Sequence, residues 1–245
     1  MTDRPTVLLP VRILEGEPIP EGIPDLLMRA HVVLLGYHVV PEQTATGQAR
    51  MQFEARARTR LETFEGMLAD AGATVETRLV FTHEAQATID RTIYEHDCLA
   101  VLVPNATNPP ETVLVALRGR VGLDRTATLV GGLFGDADID ITLYHALEAD
   151  ESEADARAMF EAIVDRFVEA GIRRDAIDVR LAEGGDPRAA VTETAEAFDV
   201  VVVGESDPSV VTYLFGMRAP QVAESFLGPV LVVQRERPAD ARSTE

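Results

Sequence analysis

The chain has no lysine: all 22 of its basic residues are arginine, set against 41 aspartates and glutamates in 245 residues. That absence excludes Schiff-base chemistry, a lysine nucleophile and the lysine of a nucleotide phosphate loop. Cysteine is almost missing too. Cys98 stands alone, so no disulfide forms within the chain. It opens an apolar strand pattern, which predicts a buried, inert thiol, with a redox role as the alternative. Long apolar runs are also lacking, since none approaches the roughly 20 residues of a membrane span. The opening Met1-Thr-Asp-Arg-Pro5 lacks the apolar run of a signal peptide. The expectation is a soluble, cytoplasmic protein with no direct membrane insertion.

Positive charge is scarce enough to decide partners. A formal charge of −19 repels phosphate backbones and anionic bilayers, which excludes nucleic acid as a partner. The acids are spread along the chain rather than clustered. This predicts a solvated surface adapted to high salt, where a Debye length of about 3 Å at 1 M quenches self-repulsion. A patch aimed at one basic partner would need clustering.

What the sequence does contain is itself, twice. Thr6-Val-Leu-Leu-Pro-Val-Arg12 returns as Thr112-Val-Leu-Val-Ala-Leu-Arg118, and Leu34-Leu-Gly-Tyr-His-Val-Val40 as Ile141-Thr-Leu-Tyr-His-Ala-Leu147. Leu68-Ala-Asp-Ala-Gly72 returns as Val168-Glu-Ala-Gly171, and Asp97-Cys-Leu-Ala-Val-Leu-Val-Pro104 as Asp199-Val-Val-Val-Val-Gly204. A spacing of roughly 100 residues exceeds the 20–50 of a solenoid unit and points to a duplicated domain. The boundaries read as residues 1–110, 111–236 and a disordered tail at 237–245.

In each copy short apolar runs alternate with helical patterns, which predicts an α/β fold with an open parallel sheet covered on both faces. In the second copy, strands are expected at 113–117, 141–146, 179–181, 200–203 and Val230–Val233. Helices are expected at 123–134, weakened by Gly131-Gly132, and at 153–170, with Phe160, Ile163, Phe167 and Ala170 inward. Ser152 and Asp155 cap the latter and Gly171 stops it. Asp186-Pro187 opens a third helix carrying Val191, Thr194 or Ala195, and Phe198 inward; a fourth is expected at 219–227.

The first copy matches in its middle. Residues 13–24 hold prolines and glycines that leave little or no regular helix. Helices at 48–71 (Leu61, Phe64, Leu68 and Ala71 inward) and 84–95 alternate with strands at 75–81 and 99–103. Then Asn105-Ala-Thr-Asn-Pro-Pro110 runs directly into the next copy, so a last helix and fifth strand are missing.

Residues 112–235 resemble a universal stress protein domain from end to end. The likeness rests on Val113-Leu-Val-Ala-Leu117, Leu143-Tyr-His145, Gly185-Asp-Pro187, Asp199-Val-Val-Val-Val-Gly204 and Gly228-Pro-Val-Leu-Val-Val233. Residues 6–104 are similar without the closing part. The resemblance implies a Rossmann-like sheet with ligands beyond the carboxyl ends of its strands. It also implies, for many members, an ATP loop of Gly-x-x-Gly, nine residues, then Gly-Ser or Gly-Thr. Glycines there let backbone N–H groups reach the phosphates.

This sequence departs from that pattern. Gly204 matches the first glycine and Ser206 lies within the loop, but the second glycine falls on Asp207. Gly216 comes one position early, Met217 replaces the hydroxyl residue, and Pro208 removes a donor. The acidic residue after the first strand is replaced by Arg118-Gly119-Arg120. The expectation is therefore no cofactor, with weak binding of ATP or another nucleotide as the alternative. Arg118 and Arg120 offer a second alternative, a charge-assisted clamp on some other anion, against a plain flexible turn. His38 and His145, equivalent by the repeat, are expected to be structural. No histidine pair has zinc-ligand spacing, and no nucleophile elbow is present. The function expected is non-enzymatic regulation by association, the alternative being a nucleotide- or anion-sensing module in the second copy. The resemblance also implies a membrane transporter or other protein as partner. For self-association, two chains are expected to pair through Val230–Val233. The rival is that this strand folds back onto 99–103 within its own chain.

Overall fold

A computed structural model describes residues 4–117, 122–147, 152–182, 193–204 and 228–235. The elements in chain order are β1 (Thr6–Arg12), α1 (Ile23–Leu26), β2 (His31–Val39), α2 (Thr46–Asp70), β3 (Thr74–Thr82), α3 (Ala85–Glu95) and β4 (Ala100–Val103). After them come β5 (Thr112–Ala116), α4 (Leu123–Phe134), β6 (Asp140–Ala146), α5 (Glu153–Glu169), β7 (Ile177–Ala182), β8 (Val200–Gly204) and β9 (Val230–Val233). The strands form one nine-stranded sheet in the order β3-β2-β1-β4-β9-β8-β5-β6-β7. Each half thus repeats one order, second strand beside first and fourth on the first strand's other flank.

The valine run of β8 explains its central place. Val200–Val203 are all buried, as a parallel strand covered on both faces requires. β9 pairs parallel with β8, Val202 opposite Leu231, and antiparallel with β4, Val101 opposite Val232. This corrects the expected dimer contact. Both hydrogen-bonding edges of Val230–Val233 are used inside the chain, so none remains there for a second copy. The fold-back rival is the arrangement found, and the strand missing from the first half is replaced by β9. The antiparallel step has a further consequence: the carboxyl ends of β1–β4 and of β5–β8 point to opposite rims of the sheet.

One apolar core continues across both halves on the face covered by α2, α4 and α5. It joins Leu61, Phe64 and Leu68 to Leu129, Phe160 and Phe167. The other face carries two smaller cores, one under α3 with Ile89 and Ile93, the other around Ala195 and Val201. Ser152 Oγ accepts from the Asp155 N–H at 3.1 Å, and Gly171 turns the chain at φ +95°, so both ends of α5 follow their sequence signals. Ala71 and Ala170 fall at helix ends and are only partly buried. α4 runs through Gly131-Gly132 unbroken. A methyl at Gly131 would overlap the Cβ of Ala170, and one at Gly132 would overlap Pro5. Close approach of α5 and of the β1 leader outweighs the helix-propensity cost. Third-helix residues 186–191, the expected 219–227 helix and the 237–245 tail lie outside the described residues. Among the described residues no helix is long and apolar enough to cross a membrane.

Candidate functional site

A ligand crevice in such a sheet opens where the strand order reverses, beyond neighbouring carboxyl ends. The topology makes two: between β1 and β4 on one rim, between β5 and β8 on the other. The first is helped open by Pro10. The Leu99 N–H donates to the Thr6 carbonyl, so even-numbered residues of β1 face β4, and Pro10 has no N–H to offer there. The ladder to β4 accordingly ends at Leu8 opposite Val101.

The protein fills this first crevice with its own chain. Ile13, Ile19 and Ile23 of the loop after β1 are buried in the main core. The Thr107 N–H donates to the Glu21 carbonyl at 3.0 Å, fastening the loop to the segment between β4 and β5. Gly22, at φ +82°, lies so close beneath Thr107 that a Cβ there would overlap its carbonyl oxygen. Arg60 of α2 donates to the Glu17 carbonyl at 2.6 Å. Arg12 at the end of β1 donates from Nε to the Tyr37 hydroxyl at 3.2 Å and from Nη1 to Glu15 Oε1 at 3.2 Å. Burial raises the Tyr37 phenol above its ordinary range, against the pull of Arg12. This crevice is ill suited to a triphosphate, because the loop occupies it and the Arg12 guanidinium is committed to the Glu15 carboxylate.

The second crevice begins at Leu117 and Gly204. Ala116 pairs with Val203, so these two residues leave the sheet side by side. Of the residues expected at the site, Gly204 is therefore placed at the switch point, ending β8 opposite Val233. Arg118, Gly119, Arg120, Ser206 and Gly216 lie outside the described residues, as do Asp207, Pro208 and Met217. The floor is fixed by His145, buried at the end of β6. Its Nδ1 donates to the Leu117 carbonyl at 2.9 Å, and its ring meets Phe160 edge-on at 6.1 Å. A carbonyl only accepts, so Nδ1 carries the proton. His38, its counterpart in β2, sits edge-on between Phe53 and Phe81. His38 packs against these two rings, whereas His145 also holds the Leu117 carbonyl.

Cys98 is buried beside this rim, its thiol pushed up to about 12 by burial and by Asp97. A thiol so protonated is a poor nucleophile. Arg125 of α4 donates to the Cys98 carbonyl at 2.9 Å and lies 3.7 Å from Asp97, tying the second half to the start of β4.

At the opposite rim the structure builds a clamp that sequence reasoning did not single out. Asp199, just before β8, accepts with Oδ2 from the Glu111 N–H (3.0 Å), the Thr112 N–H (2.9 Å) and the Thr112 hydroxyl (2.9 Å). Burial works against its charge, yet these three donors hold the carboxyl below the usual range. Its carbonyl also accepts from the Thr107 hydroxyl at 3.2 Å. A cavity of about 290 Å³ opens beside it, lined by Thr107, Asn108, Glu196, Phe198 and Gly228 among others. Among the described residues its lining has two acids and no base, which does not favour a phosphate. The only sequence signal was the repeat of Asp97 as Asp199.

No family model matches this sequence, and no curated protein does. The fold, however, is shared with solved structures. A universal stress protein from Archaeoglobus fulgidus DSM 4304 superposes with a TM-score of 0.59 at 15% identity, over 94% of this chain and 98% of that one. A candidate universal stress protein from Pseudomonas aeruginosa UCBPP-PA14 gives 0.51 at 15% identity, over 96% and 94%. The class is thus a Rossmann-like α/β fold with a mostly parallel sheet. Within that class, the fold is the one universal stress proteins adopt.

Proposed function

We propose that this chain is a regulatory protein of the universal stress protein type, built of two tandem domains at 1–110 and 111–236, and that it acts by association rather than catalysis. The observation that carries the reading is the first crevice, filled by the loop after β1 and fastened to Thr107. The repeated strand order supports duplication, and likenesses spanning both halves agree with it. By the spacing of the family's ATP loop, Asp207 stands in the second domain at the position of the second glycine and Met217 at that of the hydroxyl residue, so the ATP loop is read as degraded. The partner is another protein, a membrane transporter being one class. The acid excess belongs to a surface suited to high salt.

A second reading, a nucleotide or anion sensor, is favoured by one feature: Leu117 and Gly204 leave the sheet as neighbours. The segments holding Arg118, Gly119, Arg120, Ser206 and Gly216 therefore start from one place. Calorimetry with ATP in molar KCl separates the readings. We expect no micromolar binding to the wild type and partial recovery in Asp207→Gly/Met217→Ser. A micromolar dissociation constant for the wild type would overturn the first reading in favour of the second.

A further inference from the structure

We propose that two copies of this chain join edge to edge through β3, antiparallel across a twofold axis at Thr77. β3 and β7 are the outer strands of the sheet. On its inner side β3 bonds β2: the Thr74 N–H donates to the Ala30 carbonyl, and the Val40 N–H donates to the Thr82 carbonyl. Even-numbered residues of β3 therefore aim their backbone groups at β2. The odd-numbered Val75, Thr77, Leu79 and Phe81 aim theirs outward. No backbone partner for them is found among the described residues. Such a row is a template for another strand. No residue of β3 is fully buried, whereas Val32–Leu35 of the neighbouring β2 have no exposure. Val75, Leu79, Val80 and Phe81 are left half-covered.

The edge is complementary to itself in one register. With Thr77 opposite Thr77 of the second copy, Val75 faces Leu79 and Glu76 faces Arg78, each pair occurring twice. The outward-facing residues then fall in hydrogen-bonded pairs. Glu76 and Arg78 fall in the non-hydrogen-bonded pairs, where Cα atoms come to about 4.5 Å and side chains are closest. Centring on Leu79 sets Glu76 against Thr82 and wastes both charges. Centring on Arg78 turns the same outward backbone groups together but sets arginine against arginine. Edges guarded by one sign of charge repel a second copy, but Glu-x-Arg is neutral and matches its own reversal. In the single chain Arg78 Nε lies 3.6 Å from Glu76 Oε1 with both side chains nearly half exposed. His96 holds them in place: its Nε2 accepts from Arg78 at 3.1 Å, and its Nδ1 lies 3.3 Å from Glu76. The second copy extends this row to four alternating charges.

The other edge repeats the motif as Asp178-Val179-Arg180, with Arg180 donating to Asp178 at 3.1 Å. We assign the contact to β3 because its ladder is nine residues long against six. Two chains of charge −19 repel, so the contact forms where salt screens them.

Sedimentation equilibrium in molar KCl, from micromolar to submillimolar protein, tests this. The expected mass is twice the 26.6 kDa of one chain. Thr77→Pro removes an outward N–H and no bond to β2, so circular dichroism stays native while the mass returns to that of one chain. Glu76→Arg and Arg78→Glu each weaken the dimer about tenfold by setting like charges opposite, and the double reversal restores it. A wild type monomeric throughout, or a dimer indifferent to Thr77→Pro, overturns the proposal. So does a double reversal that fails to restore the dimer. Mass that keeps growing with concentration and is abolished by Val179→Pro also overturns it, in favour of head-to-tail β3–β7 assembly.

Discussion

Replacing Asp199 with alanine removes the fastening between the starts of β5 and β8. Oδ2 accepts three hydrogen bonds, from the Glu111 N–H, the Thr112 N–H and the Thr112 hydroxyl. Bonds to a charged acceptor contribute roughly 1.5–3 kcal/mol each when buried. Glu111 is exposed and Thr112 half-buried, so water recovers much of that on mutation, and Thr112 retains its bonds from the Asp199 N–H. The net loss should be about 2–3 kcal/mol. For a chain of this size that lowers the melting temperature by about 5–10 °C. The shape of the pH dependence checks the cause. The carboxyl is depressed in the fold, so its stabilisation is complete above the unfolded aspartate value, about 3.9, and is lost as pH falls through the folded value. The difference between wild type and Asp199→Asn should therefore be constant at neutral pH and shrink below about pH 4. Denaturant unfolding in molar KCl measures both. A loss under about 1 kcal/mol for Asp199→Ala at neutral pH, or a difference that grows on acidification, refutes the clamp.

Two further outcomes are expected. Gly131→Ala should cost about 1–2 kcal/mol, because overlap with Ala170 outweighs the gain in helix propensity. Gly66→Ala, with open space at its Cβ in α2, should stabilise by about 0.5–1 kcal/mol; equal signs for the two in denaturant unfolding would refute the packing argument. The melting temperature should rise by several degrees between low and molar KCl as the −19 charge is screened, and a flat profile would contradict adaptation to salt.

The candidate site was legible only as far as strands are. Gly204 was readable as the end of the Asp199-Val-Val-Val-Val run, and the structure puts it beside the end of β5. The Asp199 clamp was not readable, because its partners Glu111 and Thr112 come near only when β8 slides in next to β5. The filled first crevice was half readable. The prolines and glycines of 13–24 left room for little regular helix, and only the short α1 forms at its end, but nothing in them said that Ile13, Ile19 and Ile23 would be buried or that Thr107 would hold the segment down.

Local chemistry decides what needs no partner. Unbroken valines at 200–203 made a strand buried on both faces, Ser152 with Asp155 started α5, Gly171 ended it, and the absence of lysine removed whole mechanisms. Which strands would meet, and in which direction, lay beyond that reach. The apolar run Val230–Val233 fixes that the strand is buried, but parallel and antiparallel ladders satisfy the same backbone donors and acceptors. Only the packed chain chose β4 as its second neighbour, and with that antiparallel step turned the carboxyl ends of β1–β4 and of β5–β8 to opposite rims of the sheet. The same holds for Gly131: its propensity argued against a helix interior, and only the presence of Ala170 across the α4–α5 contact shows why a residue without a side chain belongs there.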